Sequence, residues 1–328
     1  MADTKHEIGV WNDWGRLREV MVGYPDATVV TDYHPCIAWM TEQMKKEMEK
    51  NAGKFDSEVF PENAKKLKKQ IEDHVKILED FGVKVHRALK YFAHPEEAHF
   101  LDEVQRGCMP FPGEDFFRVI GNNVILINSL RPPFRRKQIY LVRPVLESLL
   151  KGSNARYVAC PPPSPHYDEH DIFLENGDIV LDGQNVYVGF SGNSCSEEGI
   201  AWLQQYLGEE YKVWTVKKAK QAFHLGGLLN IPRPGLVFYY PELLPEGLPE
   251  PLKKFEKVEI RIEKDDRWCF GCNNLSLDEK TVIVPSEYEK VAAEYRKRGF
   301  KVINSNYGMT IEYGSGPKCL TAALKRDR

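Results

Sequence analysis

The chain has 328 residues, 42% of them hydrophobic, enough to bury one substantial core. Its 45 basic and 48 acidic residues leave a formal charge of −3 and are dispersed, so no patch on the scale of a nucleic-acid footprint is expected. No apolar run has the length a bilayer requires, the opening residues lack a leader-like apolar stretch, and seven irregularly spaced cysteines fit reduced thiols; together these point to a cytoplasmic address without membrane contact.

In chain order, the first strand is expected at Leu17 to Gly23. Met40 to Phe81 is dense in Lys and Glu, with Met44, Met48, Leu67, Ile71, Val75 and Leu78 interspersed, and reads as a peripheral helical insertion (residues 40–81). Its Lys65, Lys66, Lys68 and Lys69 fit a solvated helix face better than a binding patch. Pro110 to Pro133 and Pro161 to Pro165 read as ordered loops, because proline cannot donate inside a central strand. Further strands are expected at Val119 to Leu126, Asp178 to Gly189, Leu236 to Tyr240 and Asn274 to Val284. Three of these read as hairpins, turning at Gly121-Asn122-Asn123, Asp182-Gly183-Gln184-Asn185 and Asp278-Glu279-Lys280. Helices are expected at Glu197 to Leu207 and at Ser286 to Arg298, the second opened by a Ser286–Glu289 capping box and stopped by Gly299. A strand-bearing unit followed by a helix, recurring five times, points to radial repetition within an α/β fold rather than to one doubly wound sheet.

Several residues could carry chemistry. Asp115 is an acid among apolar and aromatic neighbours, where burial calls for a cation. Glu175 and Asp178 flank a glycine ahead of a strand; such a pair can bind a planar cation, or one of them can orient an imidazole, although a charged turn is as good a local account. His224, followed by Leu225, Gly226 and Gly227, competes with eight other histidines, His166 and His170 among them. Cys319 follows Gly314-Ser315-Gly316-Pro317-Lys318, where glycines permit close approach to a ligand and Lys318 could favour a thiolate; alone it reads as one more small buried hydrophobe. Cys269-Phe270-Gly271-Cys272 has no second pair at zinc spacing and no thioredoxin-like setting, so neither role is assigned.

Taken in order, Glu175-x-Gly177-Asp178, then His224-Leu225, then Cys319 near the end of the chain resemble the guanidine-modifying superfamily. The opening Val10 to Gly23, Asp115 with Val119 to Asn122, and the Arg-rich Arg131 to Arg136 are similar to the amidinotransferases. Tyr187-Val188-Gly189 and Asn274-Leu275 resemble dimethylarginine dimethylaminohydrolases. The resemblance implies a five-bladed α/β propeller (pentein) with pseudo-fivefold repeats, a single domain over residues 1–328, and one central active site. It further implies Cys319 as nucleophile, His224 as acid/base, Glu175 as the carboxylate orienting it, and Asp115 and Asp178 as substrate-binding or loop anchors, with no metal and no cofactor. The implied activity is transfer of an amidino group from arginine or a related guanidine to an amine acceptor; the alternatives are a hydrolase using the same residues and an inactive guanidino-binding propeller. The expected partners are small molecules, and a homodimer is left open. One departure stands out: where amidinotransferases and arginine deiminases typically have His-x-Asp, this chain has Gly226.

Overall fold

The computed structural model describes residues 6–26, 28–30, 41–90, 114–164, 168–263 and 269–328. Met40, Met109 to Gly113, Pro165, His166 and the side chain of Met44 lie outside the described residues.

Five three-stranded sheets carry the fold. In chain order of their central strands they are Ala322–Arg326, Leu17–Val22 and Lys84–Arg87; then Phe117–Ile120, Asn123–Leu126 and Arg156–Ala159; then Ile179–Asp182, Asn185–Phe190 and Lys212–Lys217; then Leu229–Arg233, Leu236–Tyr239 and Glu256–Glu259; then Leu275–Asp278, Thr281–Pro285 and Lys301–Ser305. Every central strand runs antiparallel to the first strand of its sheet and parallel to the third. The antiparallel pair is a local hairpin in four sheets, because a few turn residues suffice. The parallel step needs a crossover, and helices supply it at Pro61–Asp80, Ile139–Leu150, Glu197–Leu207 and Glu289–Lys297. In the first sheet the antiparallel partner comes from the end of the chain instead.

Helix Pro61–Asp80 opens with Pro at its first position, where a missing N–H costs nothing, and buries Leu67, Ile71, His74, Val75 and Leu78. Leu67, Ile71, Val75 and Leu78 join Leu17, Val20, Leu275, Leu277, Tyr307 and Leu320 in one apolar cluster, so the expected peripheral insertion is solvated on one face only. Its lysine face is solvated as expected, with Lys68 bonded to Asp26 and Lys69 to Asp73. The capping expectation at Ser286 is corrected: Ser286–Tyr288 form a 3-10 turn, and the helix begins at Glu289. Gly299 does follow that helix in the left-handed region, at φ 81°.

The N-terminal segment ties sheets together. Val10 and Gly121 exchange backbone hydrogen bonds of 2.8 and 2.6 Å, and Asp13 N–H donates to Leu181 O at 3.2 Å. Among the described residues no helix is long and apolar enough to cross a membrane.

Candidate active site

Asp115, Glu175, His224, Asn273 and Cys319 occupy matching places in the five units, each between two and five residues ahead of the first strand of its sheet. Asp115 lies in the 3-10 turn Glu114–Phe116 before strand Phe117–Ile120, and Glu175 precedes the turn Asn176–Asp178 before Ile179–Asp182. His224 precedes the short helix Leu225–Leu228, which leads into Leu229–Arg233. Asn273 precedes Leu275–Asp278, and Cys319 precedes Ala322–Arg326.

His224 Nε2 lies 2.6 Å from Glu175 Oε2, with both side chains buried. The imidazole is packed on two sides. The Phe223 ring stacks on it at 4.0 Å between centroids, and the opposite approach is made over Gly177, where an added Cβ would lie 2.8 Å from Cγ of the ring. Glycine at 177 is therefore a requirement for bringing the carboxylate turn under the histidine. Burial alone would disfavour the imidazolium; the charge of Asp115, a hydrogen bond with Cys319 and the Glu175 carboxylate outweigh it and raise the His224 pKa well above the ordinary range.

Asp115 accepts from Gly177 N–H at 3.1 Å and from Arg135. Arg135 reaches Glu175 Oε2 with its other terminal nitrogen at 3.2 Å, so one buried guanidinium bridges both carboxylates. Burial opposes the charge on Asp115, but Arg135 and His224 prevail and hold its pKa below the usual value. Asp115, Glu175 and His224 present ligand atoms within 4.8 Å of one another, a set that could hold a metal ion. The Arg135 guanidinium already supplies the cation such a set calls for.

Asp178, expected among the substrate-binding residues, is fully buried and faces the protein. Its oxygens accept from Leu225 N–H at 2.7 Å, from Ser194 Oγ, and from Lys218 Nζ at 3.2 Å. It anchors the loop that presents His224, and all of these partners belong to the protein. Lys318, expected beside the thiol, instead turns its ammonium to Asp13 at 3.3 Å. Asp13 also receives Arg118 at 2.7 Å, and the surrounding cations outweigh its burial and depress its pKa. Gly226 sits against Gly177 O and the stem of Lys318: a Cβ there would be 3.0 Å from the carbonyl oxygen and 3.7 Å from Lys318 Cε.

Cys319 is partly buried, with Asn273 Nδ2 2.8 Å from its Sγ. Two residues escaped the sequence reading. Arg135 was visible only as one of an Arg-rich run, and Asn273 only as the neighbour of the Cys269–Cys272 pair. Of the competing histidines, His170 is exposed and 3.2 Å from Glu198, and His74 is a buried structural residue.

No family model matches the chain. An L-arginine:L-lysine amidinotransferase from Pseudomonas savastanoi pv. phaseolicola is 22% identical, the alignment covering 96% of this chain and 93% of the relative. Among solved structures, the amidinotransferase SxtG from Microseira wollei superposes with a TM-score of 0.80 at 23% identity, covering 98% of both chains. DDAH from Pseudomonas aeruginosa, in complex with citrulline, superposes with a TM-score of 0.64 at 14% identity, covering 94% of this chain and 100% of that one. The resemblance to the guanidine-modifying superfamily is thus borne out: the chain has its fold, and its relatives and structural neighbours are enzymes.

Proposed function

We propose that this protein is an amidinotransferase that carries the amidino group of arginine, or of a related guanidine, to an amine acceptor through a covalent intermediate on Cys319. The observation that carries the reading is the convergence of a partly buried thiol, a buried His–Glu pair and a partly buried acid from matching places ahead of the first strands of their sheets. We read those sheets as the blades of a propeller, within a single domain, surrounding the site.

In this reading Asp115 and Glu175 face the substrate guanidinium, whose charge they neutralise while Arg135 holds them in place. Each carboxylate oxygen accepts more than one hydrogen bond, so bonding to Arg135 leaves capacity for a ligand. The Cys319 thiolate attacks the guanidinium carbon and forms a C–S bond. The C–N bond to the donor amine breaks as His224 delivers its proton to the departing nitrogen, leaving a thiouronium on Cys319. An incoming amine then attacks the same carbon, His224 takes its proton, and the C–S bond breaks to restore the thiolate.

Full-length similarity to an amidinotransferase and the high superposition on SxtG favour an amine over water as the second nucleophile. Gly226, standing where amidinotransferases typically have a second acid, favours the hydrolase reading. Intact-protein mass spectrometry with arginine separates the two. A transferase accumulates an amidino adduct on Cys319 that an added amine discharges; a hydrolase discharges it in water alone. If no tested guanidine produces an adduct or any turnover, both readings fail.

A further inference from the structure

Asn273 is fully buried, and its amide orientation is settled by its neighbours. Its Oδ1 accepts from the backbone N–H of Lys318 at 3.0 Å and of Cys319 at 3.3 Å. An oxygen holding two donors leaves the NH2 group as the end that faces Cys319 Sγ, at 2.8 Å. That group only donates. A thiolate is the better acceptor for it, and a thiol proton pointing the same way would collide with it.

The surroundings are built for this contact. Asn273 N–H donates to Phe270 O at 2.8 Å, and Cys272 N–H donates to Gly227 O at 3.2 Å, fixing the turn to the loop after His224. Cys269 at the head of that turn adopts φ 53°, a conformation side chains rarely take. Gly316 is needed on the other side, since a Cβ there would lie 2.5 Å from Asn273 Oδ1 and 2.8 Å from its Cγ. The glycine of the Cys319 loop thus admits a protein side chain. The charged groups around the thiol are His224, which hydrogen-bonds it, and Arg135, which feels its charge; Asp115 and Glu175 lie behind them, and Lys318 is committed to Asp13.

We propose that Asn273 is a catalytic residue that donates a hydrogen bond to Cys319 Sγ and holds it as the attacking thiolate, a role that the Cys269–Cys272 turn exists to present. The inference rests on Cys319 being the nucleophile, but its test reads the thiol directly and needs no substrate, so it can fail while the transfer reaction stands. The measurement is the pH dependence of iodoacetamide alkylation at Cys319, followed by peptide mapping. Asn273→Ala should move the alkylation midpoint upward by about one pH unit, a roughly tenfold slower reaction near neutrality. Asn273→Ser keeps an oxygen acceptor for the two backbone groups and should shift the midpoint similarly. A wild-type midpoint in either folded variant overturns the proposal. Should neither variant fold, the wild-type protein decides. With 15N-asparagine labelling, one side-chain amide should titrate with the alkylation midpoint and cease to do so in Cys319→Ser; no such amide would overturn the proposal equally.

Discussion

Gly177→Ala should disable the enzyme while leaving it folded. The backbone at 177 is not in the left-handed region, and its N–H bond to Asp115 at 3.1 Å is kept by alanine. The new methyl, however, would stand 2.8 Å from His224 Cγ and 2.9 Å from Cε1, and nearer still to Nδ1, where ordinary contact begins at 3.4 Å. The imidazole must therefore retreat by at least 0.6 Å at Cγ, the difference between 3.4 and 2.8 Å, and by about 1 Å at Nδ1. It cannot slide away freely, because Phe223 stacks on it at 4.0 Å. A displacement of that size in an acid/base group costs on the order of 100-fold in rate, about 2.7 kcal/mol. Steady-state turnover of arginine with an amine acceptor, read beside the melting temperature, is the assay. We expect kcat to fall roughly 100-fold with KM changed far less, since the carboxylates proposed to meet the guanidinium stay in place. A folded variant with kcat within a few-fold of wild type would refute the claim that His224 works from this position.

Other consequences are open to direct measurement. Alkylation at neutral pH should label Cys319 ahead of Cys160 and Cys195, because burial pushes the Cys160 thiol up to about 12 and holds the Cys195 thiol well above its ordinary value; peptide maps led by either buried cysteine would count against it. His74 is held neutral, burial lowering its pKa to about 3 from 6.5, so its stabilising contribution is complete above pH 6.5 and is lost as pH falls toward 3. Between pH 7 and 5 wild type should lose roughly 2 kcal/mol more unfolding free energy than His74→Gln, and equal losses in urea titrations would exclude this. Gly226→Asp, whose Cβ must be accommodated 3.0 Å from Gly177 O, should raise the preference for arginine over N-substituted guanidines in competition assays; an unchanged preference in a folded variant would strip Gly226 of meaning for the donor.

What could be read in advance followed from local pattern. The hairpins Phe117 to Leu126, Ile179 to Phe190 and Leu275 to Pro285 were readable because apolar arms flank short polar turns. The third strands were not, since Lys84–Arg87, Arg156–Ala159 and Glu256–Glu259 are short edges with at most one buried residue each, held by parallel pairing that no local alternation records. Leu229–Arg233 was hidden by Pro232, which is tolerated there because the strand lies at the edge of its sheet. The closing strand Ala322–Arg326 pairs with Leu17–Val22 from the far end of the chain, a contact with no local signature. Between the two roles open to Asp178, local pattern could not choose for a related reason: a buried acid is equally demanding of partners whether they belong to a ligand or to the protein, and only the fold shows that Ser194, Lys218 and Leu225 take its oxygens.

The arrangement also explains why so few positions would carry the proposed site. Each unit delivers one side chain from the segment entering its first strand, and the five deliveries are Asp115, Glu175, His224, Asn273 and Cys319. A segment at that place is anchored by the strand it enters, yet free of the ladder itself. Its side chain can therefore be exchanged without breaking a sheet. The supporting contacts run between neighbouring units: Gly177 N–H to Asp115, Leu225 N–H to Asp178, Cys272 N–H to Gly227 O, and the backbone of Cys319 to Asn273. Because each segment is positioned by the next, disturbing one displaces the group beside it. For that reason a methyl at Gly177 is expected to act on His224, and a lost amide at Asn273 on Cys319, without either substitution touching a substrate.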